Sequence, residues 1–181
     1  TRGVVGLPFP YFYGHKTDGI FQNAEEVAAY VNEAGQPLLP NAQPGDVRFV
    51  DIDGDGDIDD DDRTYIGKGT PDWSFGLNIG FEWKGIDFSM LLQGVVGNQA
   101  FNVTRRTDLY YINLPKTILA RWTGEGTSTT QPRFMFDSPN NNYRSSDLWV
   151  DDASFLRARN VQLGYTLPQK WTKKVAIQRL R

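Results

Sequence analysis

The sequence predicts an all-β fold in which long antiparallel strands are joined by long loops that carry short helices. Apolar and polar residues alternate strictly over residues 73–83, and a second alternating run follows after a two-residue turn signal. Aromatic residues make up 13% of the chain and glycines number 18, a composition typical of β-structure with many turns. Together these observations favour strands over helices for the ordered part of the chain.

Composition excludes several classes of function. The 181 residues carry a formal net charge of −3, which gives no sign of nucleic-acid binding, and they suffice for a domain with its own core. The absence of cysteine excludes disulfides, zinc–thiolate sites and thiol chemistry. We expect no transmembrane helix, because no apolar run reaches about eighteen residues. We also expect no signal peptide, because the sequence does not open with the pattern of one.

The first elements are irregular or short. Residues 1–22 are rich in glycine, proline and aromatic residues and are interpreted as irregular chain or strand. Asn23, followed three residues later by Glu26, predicts a helix start, and Gly35 and Pro37 predict its end. The single histidine, His15, is interpreted as a loop residue rather than a catalyst.

An acidic loop follows, with eight aspartates in the twelve residues 51–62. In a calcium loop of the EF-hand type, oxygens come from positions 1, 3, 5, 7, 9 and 12, and a glycine at position 6 makes the turn. Gly56 occupies that sixth position, and Ile58 is the expected apolar anchor. The predicted calcium ligands are Asp51, Asp53, Asp55, Asp57, Asp59 and Asp62.

The acidic loop departs from the EF-hand pattern in two respects. Its last ligand position is Asp62 rather than a glutamate, which shortens bidentate reach. Strand-like runs, not helices, flank it, namely Phe49-Val50 and residues 63–67. A structural calcium is therefore the main hypothesis, and a solvated acidic turn without metal is the alternative.

The strongest periodic signal predicts a β-hairpin. Every odd residue from Trp73 to Trp83 is apolar, which predicts a strand with one apolar and one polar face. Lys84-Gly85 is a two-residue turn signal that sets Trp83 opposite Ile86. The second strand keeps this register, with alternate apolar residues from Ile86 to Leu92.

Residues 97–153 show no comparable alternation and are predicted to form a long loop, with a short helix over Lys116–Trp122 and turns at 124–130 and 139–142. A third strand is predicted from about Asn160 to Leu167, ended by Pro168. A short basic connection follows, and residues 177–181 are predicted to begin a fourth strand.

The strands have the dimensions of membrane-spanning β-strands. Ten residue steps from Trp73 to Trp83 cover about 33 Å, which a tilt of roughly 40° reduces to the height of about 25 Å of an outer-membrane apolar band. Tryptophan at both ends suits the two aromatic girdles of such a barrel, and short turns lie at one end of the strands with long loops at the other. A soluble β-sandwich is the alternative. Three or four strands cannot close a barrel, so the barrel interpretation requires the chain to be part of something larger.

Four segments carry a family resemblance: FYGHKTDGIFQN from Phe12, residues 44–102, LPKTILARWTGEGT from Leu114, and SSDLWVDDASFLRARNVQLGYTLPQKW from Ser145. In this order and spacing they resemble the C-terminal region of the SusC/RagA family of TonB-dependent outer-membrane transporters. The resemblance covers nearly the whole chain from about residue 10. It implies a plugged barrel of the 22-stranded class in the bacterial outer membrane.

The resemblance also implies function and partners. Members import oligosaccharides or peptides, pair with a SusD-type surface lipoprotein, draw energy through TonB and contact membrane lipid; no enzymatic activity is implied. On this interpretation residues 1–71 are an extracellular loop region with a short helix and the calcium-type loop. Residues 72–181 are barrel strands with the long loop 97–153. The alternative is a soluble, secreted calcium-binding β-module for glycan binding or adhesion.

The remaining candidates are weaker. Paired carboxylates for acid–base catalysis would come from Asp108, Asp151 and Asp152, although scattered loop acids are usually solvated. Arginines that could line a lumen or bind acidic groups are Arg105, Arg106, Arg157 and Arg159. Loop aromatics that could stack on sugar rings, or equally pack the loop, are Trp122, Trp149, Tyr110 and Tyr111.

Overall fold

The computed structural model describes residues 4–105, 113–135, 137–175 and 180–181. Its strands there are β1 (Tyr11–Gly14), β2 (Thr17–Ile20), β3 (Val47–Phe49), β4 (Thr64–Lys68), β5 (Trp73–Trp83), β6 (Ile86–Val96), β7 (Gln99–Phe101), β8 (Val150–Asp152) and β9 (Phe155–Tyr165). Two short α-helices, α1 (Ala24–Ala29) and α2 (Gln169–Thr172), accompany four 3-10 turns, Val103–Arg105, Lys116–Ala120, Asp147–Trp149 and Lys173–Val175. The predicted all-β, antiparallel fold with short helices in its loops is confirmed.

Some sequence predictions fall outside these ranges. They concern Arg106, Asp108, Tyr110 and Tyr111, and residues 177–179 of the predicted fourth strand. Among the residues that are described, no helix combines the length and the hydrophobicity needed to cross a lipid bilayer.

The chain forms two compact units. The loop unit comprises residues 1–70 and 99–151, and the sheet unit comprises residues 71–98 and 152–181. Most of the long loop predicted over residues 97–153 therefore folds together with the N-terminal region.

The sheet unit is built on one antiparallel sheet in the strand order β5-β6-β9. Its hairpin has the register that the sequence predicts, from Trp73 opposite Val96 to Trp83 opposite Ile86. Lys84 and Gly85 have φ values of 48° and 88°. Positive φ at both central residues is what a type I′ turn requires, and its twist matches that of the flanking strands.

This register separates the side chains into two chemically opposite faces. The apolar face comprises Trp73, Phe75, Leu77, Ile79, Phe81 and Trp83 of β5, Ile86, Phe88, Met90, Leu92 and Val96 of β6, and Leu156, Ala158, Val161, Leu163 and Tyr165 of β9. The polar face comprises mainly Ser74, Asn78, Glu82, Asp87, Ser89, Gln93, Arg157, Arg159 and Gln162. Large side chains of the apolar face are solvent-exposed in this chain, with Trp73 at 74% and Leu163 at 75%.

A β-bulge corrects the predicted start of the third strand. The third strand of the sheet, β9, begins at Phe155, five residues before the predicted start. The prediction missed these residues because the alternation of apolar and polar side chains breaks within the strand. One residue of β6, Met90, faces two residues of β9 between the pairs Leu91–Arg159 and Ser89–Gln162. Asn160 takes a φ of 49° at this point. The extra residue shifts the parity, so that Leu156 stays on the apolar face despite its even number.

The loop unit is held by small two-stranded sheets and one apolar cluster. β1 pairs with β4, β2 with β3 and β7 with β8. The buried cluster consists of Phe21, Leu39, Val47, Phe49 and Ile58. Ile58 is thus buried as the apolar anchor of the acidic loop, as the sequence predicts.

Helix α1 begins as predicted and ends early. The Asn23 carboxamide oxygen accepts a hydrogen bond from the Glu26 backbone N–H at 2.9 Å, which is the predicted N-cap. The predicted end near Gly35 is wrong, because α1 stops at Ala29. Beyond it, the Asn32 side chain accepts from the backbone N–H groups of Ala34 and Gln36, and this local turn replaces further helical bonds.

A buried ion pair joins distant parts of the loop unit. The Asp46 side chain is fully buried, and Arg133 donates to its two carboxylate oxygens from Nε at 2.6 Å and from an Nη at 2.9 Å. Asn142 Nδ2 and the Gln43 backbone N–H supply two further bonds at 2.9 Å each. A buried carboxylate is tolerated when it is paired and its remaining lone pairs are satisfied, as here.

We expect the substitution Arg133→Met to destabilise the loop unit by about 3–5 kcal/mol, because it leaves the Asp46 carboxylate buried without its charge partner. The matched control Arg48→Met removes a partly exposed ion pair with Asp18 and is expected to cost at most about 1 kcal/mol. Hydrogen exchange of loop-unit amides measures both values. Equal effects of the two substitutions would show that the buried pair has no special role.

Candidate functional site

The acidic loop of residues 51–62 connects β3 to β4 in the loop unit. Its aspartate side chains accept hydrogen bonds from backbone N–H groups of the same loop. The Asp51 carboxylate accepts from the N–H groups of Gly54 at 2.7 Å and Gly56 at 2.9 Å. Gly54 and Gly56 have φ values of 77° and 90°, so the predicted sharp turn at Gly56 is present. A side chain at either position would be strained in this backbone conformation.

Three of the six predicted ligands converge. Asp51, Asp53 and Asp55 each place a carboxylate oxygen within 4.8 Å of the others. The Asp55 N–H lowers the pKa of Asp53, but desolvation and the negative charges of Asp55, Asp62 and Asp51 outweigh it, and the pKa is raised. The crowding thus disfavours full ionisation of this cluster in the absence of a counter-charge.

The other three predicted ligands make bonds to the backbone of the loop. Asp57 accepts from its neighbour Ile58 at 2.8 Å, and Asp59 accepts from Asp61 at 2.8 Å. The buried Asp62 accepts from Ile52 at 2.6 Å and from Asp59 at 2.9 Å. Asp62 therefore ties the first and last turns of the loop together. The metal-ligand assignment stays a prediction for all six aspartates.

The donor set is consistent with a hard cation. The converging donors are carboxylate oxygens of Asp51, Asp53 and Asp55, and such oxygen donors suit calcium or magnesium rather than zinc or copper. Calcium is the better match, because its coordination is flexible and a single twelve-residue segment supplies the oxygens.

Asn32 is a residue of the site that the sequence did not indicate. Its Nδ2 donates to the Gly56 carbonyl at 3.2 Å, and it packs against Gly56 closely enough that a Cβ there would lie 2.9 Å from this nitrogen. The two residues are 24 positions apart, so no local pattern reveals the contact.

The loop tryptophans serve packing. Trp149 is buried, stacks on Tyr143 with ring centroids 6.2 Å apart and donates its indole N–H to the Arg144 carbonyl at 3.1 Å. Trp122 lies directly over Gly45, where a Cβ would collide with the indole. Packing, one of the two alternatives drawn from the sequence, is thus observed for the buried Trp149 and for the half-buried Trp122.

The described polar candidates each have a pairing of their own. Asp151 accepts from Asn102 at 2.7 Å, and hydrogen bonds from Ser154 hold the pKa of Asp152 below its usual value. Arg157 and Arg159 belong to the polar face of the sheet unit, where Arg159 donates to Gln93 at 3.0 Å. These contacts are structural pairings of the kind expected for scattered loop and wall residues.

The chain is similar in sequence to TonB-dependent receptors. It is 29% identical to TonB-dependent receptor P3 and 32% identical to TonB-dependent receptor P26, both of Formosa agariphila, over 94% and 93% of its length. It is 30% identical to TonB-dependent receptor SusC of Bacteroides thetaiotaomicron over 72% of its length. It spans only 16%, 17% and 13% of these relatives, respectively. No family model matches the chain.

Its fold is similar to solved transporter structures. The RagAB peptide importer in its closed-closed state aligns with a TM-score of 0.55 and 26% identity, covering 89% of this chain and 17% of that one. The open-open state aligns with a TM-score of 0.56 over 94% of this chain at 21% identity, which supports the fold alone. The strands are thus those of a TonB-dependent transporter barrel, which these described residues do not close. The chain belongs to the SusC/RagA family of TonB-dependent receptors.

We expect Asp62→Ala to destabilise the acidic loop by about 2–3 kcal/mol even in the presence of a calcium chelator, because two backbone N–H groups lose a buried charged acceptor. Asp61→Ala, at an exposed position beside it, is the matched control and is expected to change little. Hydrogen exchange of residues 51–63 measures the difference. If calcium removal abolishes it, the effect of Asp62 is through the metal rather than through the backbone.

Proposed function

We propose that this chain is part of an outer-membrane transporter that takes up oligosaccharides or peptides with energy supplied through TonB. The observation that carries the proposal is the three-stranded sheet of 11-residue strands, whose large apolar side chains are exposed on one face while the other face is polar. Lipid tails would contact the apolar face, and the polar face would line the interior of a barrel.

The alternative of a soluble module is disfavoured by the same face. Among the described residues, no second layer covers the side chains of Phe75, Leu77 and Phe81, which are 49%, 53% and 55% exposed. A soluble β-sandwich would bury such side chains against an opposing sheet. Lipid satisfies this surface without a second layer, provided that the backbone edges of β5 and β9 pair with further strands.

The family supports a proposed partner and two proposed classes of substrate. A SusD-type surface lipoprotein is the proposed partner, supported by membership of the SusC/RagA family and by the similarity to the RagAB peptide importer. The neighbour is described as a peptide importer, which supports peptides as one substrate class. Oligosaccharides are the other class that the resemblance implies, and no catalytic step is part of the proposal.

We further propose that the acidic loop binds calcium in a structural role. The convergence of the Asp51, Asp53 and Asp55 carboxylates, the positive φ of Gly56 and the buried Ile58 support this. Calcium would supply a counter-charge to these carboxylates and would rigidify a loop that is already anchored at both ends.

Insertion into the membrane is tested at the middle of β5. We expect Ile79→Arg to disfavour assembly by about 2–4 kcal/mol, because it places a charge on the lipid-facing side near mid-strand. Asn78→Arg changes the adjacent, polar-face position to the same residue and is expected to be tolerated. The readout is the amount of heat-modifiable, full-length protein in the outer-membrane fraction. Similar yields of both variants, or a full-length protein that is monomeric in buffer without detergent, would contradict the proposal.

Calcium binding is tested by the double substitution Asp51→Ala with Asp55→Ala. We expect it to abolish the rise in melting temperature that calcium gives the full-length protein, since the metal stabilises only the folded state. The control Asp18→Ala removes an exposed acid outside the loop and should leave that rise intact. An unchanged melting temperature of the unmodified protein on adding calcium would refute the proposal for this loop.

A further inference from the structure

A cleft of about 410 Å³ in the loop unit contains cationic groups to which the proposed function assigns no role. Its lining residues are His15, Ile58, Asp59, Asp60, Arg63, Asn141 and Arg144. We refer to it as the arginine cleft. It lies next to the C-terminal end of the acidic loop, but it does not include Asp51, Asp53 or Asp55.

Arg63 has an unused donor. One of its terminal nitrogens pairs with Asp60 at 2.6 Å, and this acid is largely exposed, so the pair is weak. Its Nε is buried and has no hydrogen-bond partner among the described residues. A buried N–H without an acceptor carries an energetic penalty that a bound oxygen would remove.

Arg144 is held in place but weakly bonded. Its guanidinium carbon lies 4.5 Å from the centroid of the Phe49 ring. Its nitrogens reach the carbonyl oxygens of Ile58, Asn140 and Asn141 only at 3.3–3.4 Å, longer than good hydrogen bonds. Burial and then the positive charge of Arg63 lower the pKa of Arg144, which nevertheless stays charged at neutral pH. The two guanidinium groups therefore repel each other across the cleft.

His15 adds a third nitrogen group. Its side chain is 2% exposed, and its Nδ1 has no hydrogen-bond partner in the described part of the chain. Its backbone is fixed by bonds to the Ser145 carbonyl at 2.9 Å and the Asp147 N–H at 3.1 Å. Burial, together with the charges of Arg144 and Arg63, lowers the pKa of His15, so the imidazole is neutral at pH 7.

We propose that the arginine cleft binds a carboxylate group of a ligand, with its two oxygens between the guanidinium groups of Arg63 and Arg144. Planar guanidinium groups match carboxylates in charge and in fork geometry. Asp59 and Asp60 line the same cleft and offset the charges of its two arginines. The cleft therefore lacks the cationic excess that would favour a phosphate dianion, and a singly charged carboxylate is the proposed ligand. Uronic acids and peptides both provide such a group. The site shares Asp59 with the predicted calcium loop, so binding is compared at a fixed calcium concentration.

The test uses detergent-solubilised, full-length protein and isothermal titration calorimetry at constant calcium concentration. Galacturonate and N-acetylglycine are the carboxylate probes, with glucose and inorganic phosphate as comparisons. We expect saturable carboxylate binding that Arg63→Gln weakens at least tenfold. Arg48→Gln, an arginine of the same unit paired with Asp18 outside the cleft, is expected to change nothing.

Separate measurements test whether each variant is folded. Arg144→Gln also removes the stacking on Phe49, so its melting temperature is measured first, and Arg63→Lys is the conservative second variant. The Arg63→Lys substitution keeps the positive charge but removes the two parallel N–H donors of the guanidinium group. We therefore expect carboxylate affinity between that of the unmodified protein and that of Arg63→Gln. Binding of only one carboxylate probe supports a saccharide or a peptide source, and binding of both supports recognition of the carboxylate itself. Absence of saturable binding, equal binding by Arg63→Gln, or phosphate binding as tight as carboxylate binding would overturn the proposal.

Discussion

The two-residue repeat of side chains along hydrogen-bonded strands is the constraint on which the sheet unit depends. A slip of one residue between β5 and β6 would transfer every apolar side chain of one strand to the polar face. The Lys84–Gly85 turn fixes the register at one end of the hairpin. The bulge at Asn160 keeps β9 in phase with β6 where its own alternation fails. One long apolar surface results. A protein that crosses a membrane with β-strands requires such a surface.

The loop unit is stabilised differently, because its strands are only three to five residues long. It relies on a small apolar cluster and on buried polar pairings that join distant segments. The acidic loop shows how the two combine. Ile58 lies in the cluster and Asp62 is bonded to the backbone on both sides, while Asp53 and Asp55 stay exposed. Buried anchors thus hold an open set of carboxylates in one shape, which is the arrangement that a structural cation site needs.

Family membership and geometry support the same division of roles. The sheet unit supplies barrel wall, with opposite faces suited to lipid and to a polar interior. The loop unit supplies polar surfaces, of which the acidic loop is the proposed cation site and the arginine cleft the proposed anion site. Loops carried by a rigid scaffold are where recognition usually resides. Under the proposed function, tests of ligand binding belong to the loop unit, and tests of membrane insertion belong to the sheet unit.

The sequence alone determined those features whose causes lie close together along the chain. These are the β5–β6 hairpin with its turn, the Asn23 N-cap and the spacing of the acidic loop, each set by residues within about one element. Tertiary structure decided the rest. Asp46 meets Arg133 across 87 positions, Arg144 reaches the Ile58 carbonyl across 86, and Asn32 reaches Gly56 across 24. The bulge at Asn160 could not be predicted from the sequence either. The alternation of apolar and polar residues breaks there, and only the pairing with β6 shows that the apolar residues on both sides of the break share one face. Periodicity records which face a side chain takes within its own element, whereas contacts between elements depend on how the chain packs in three dimensions.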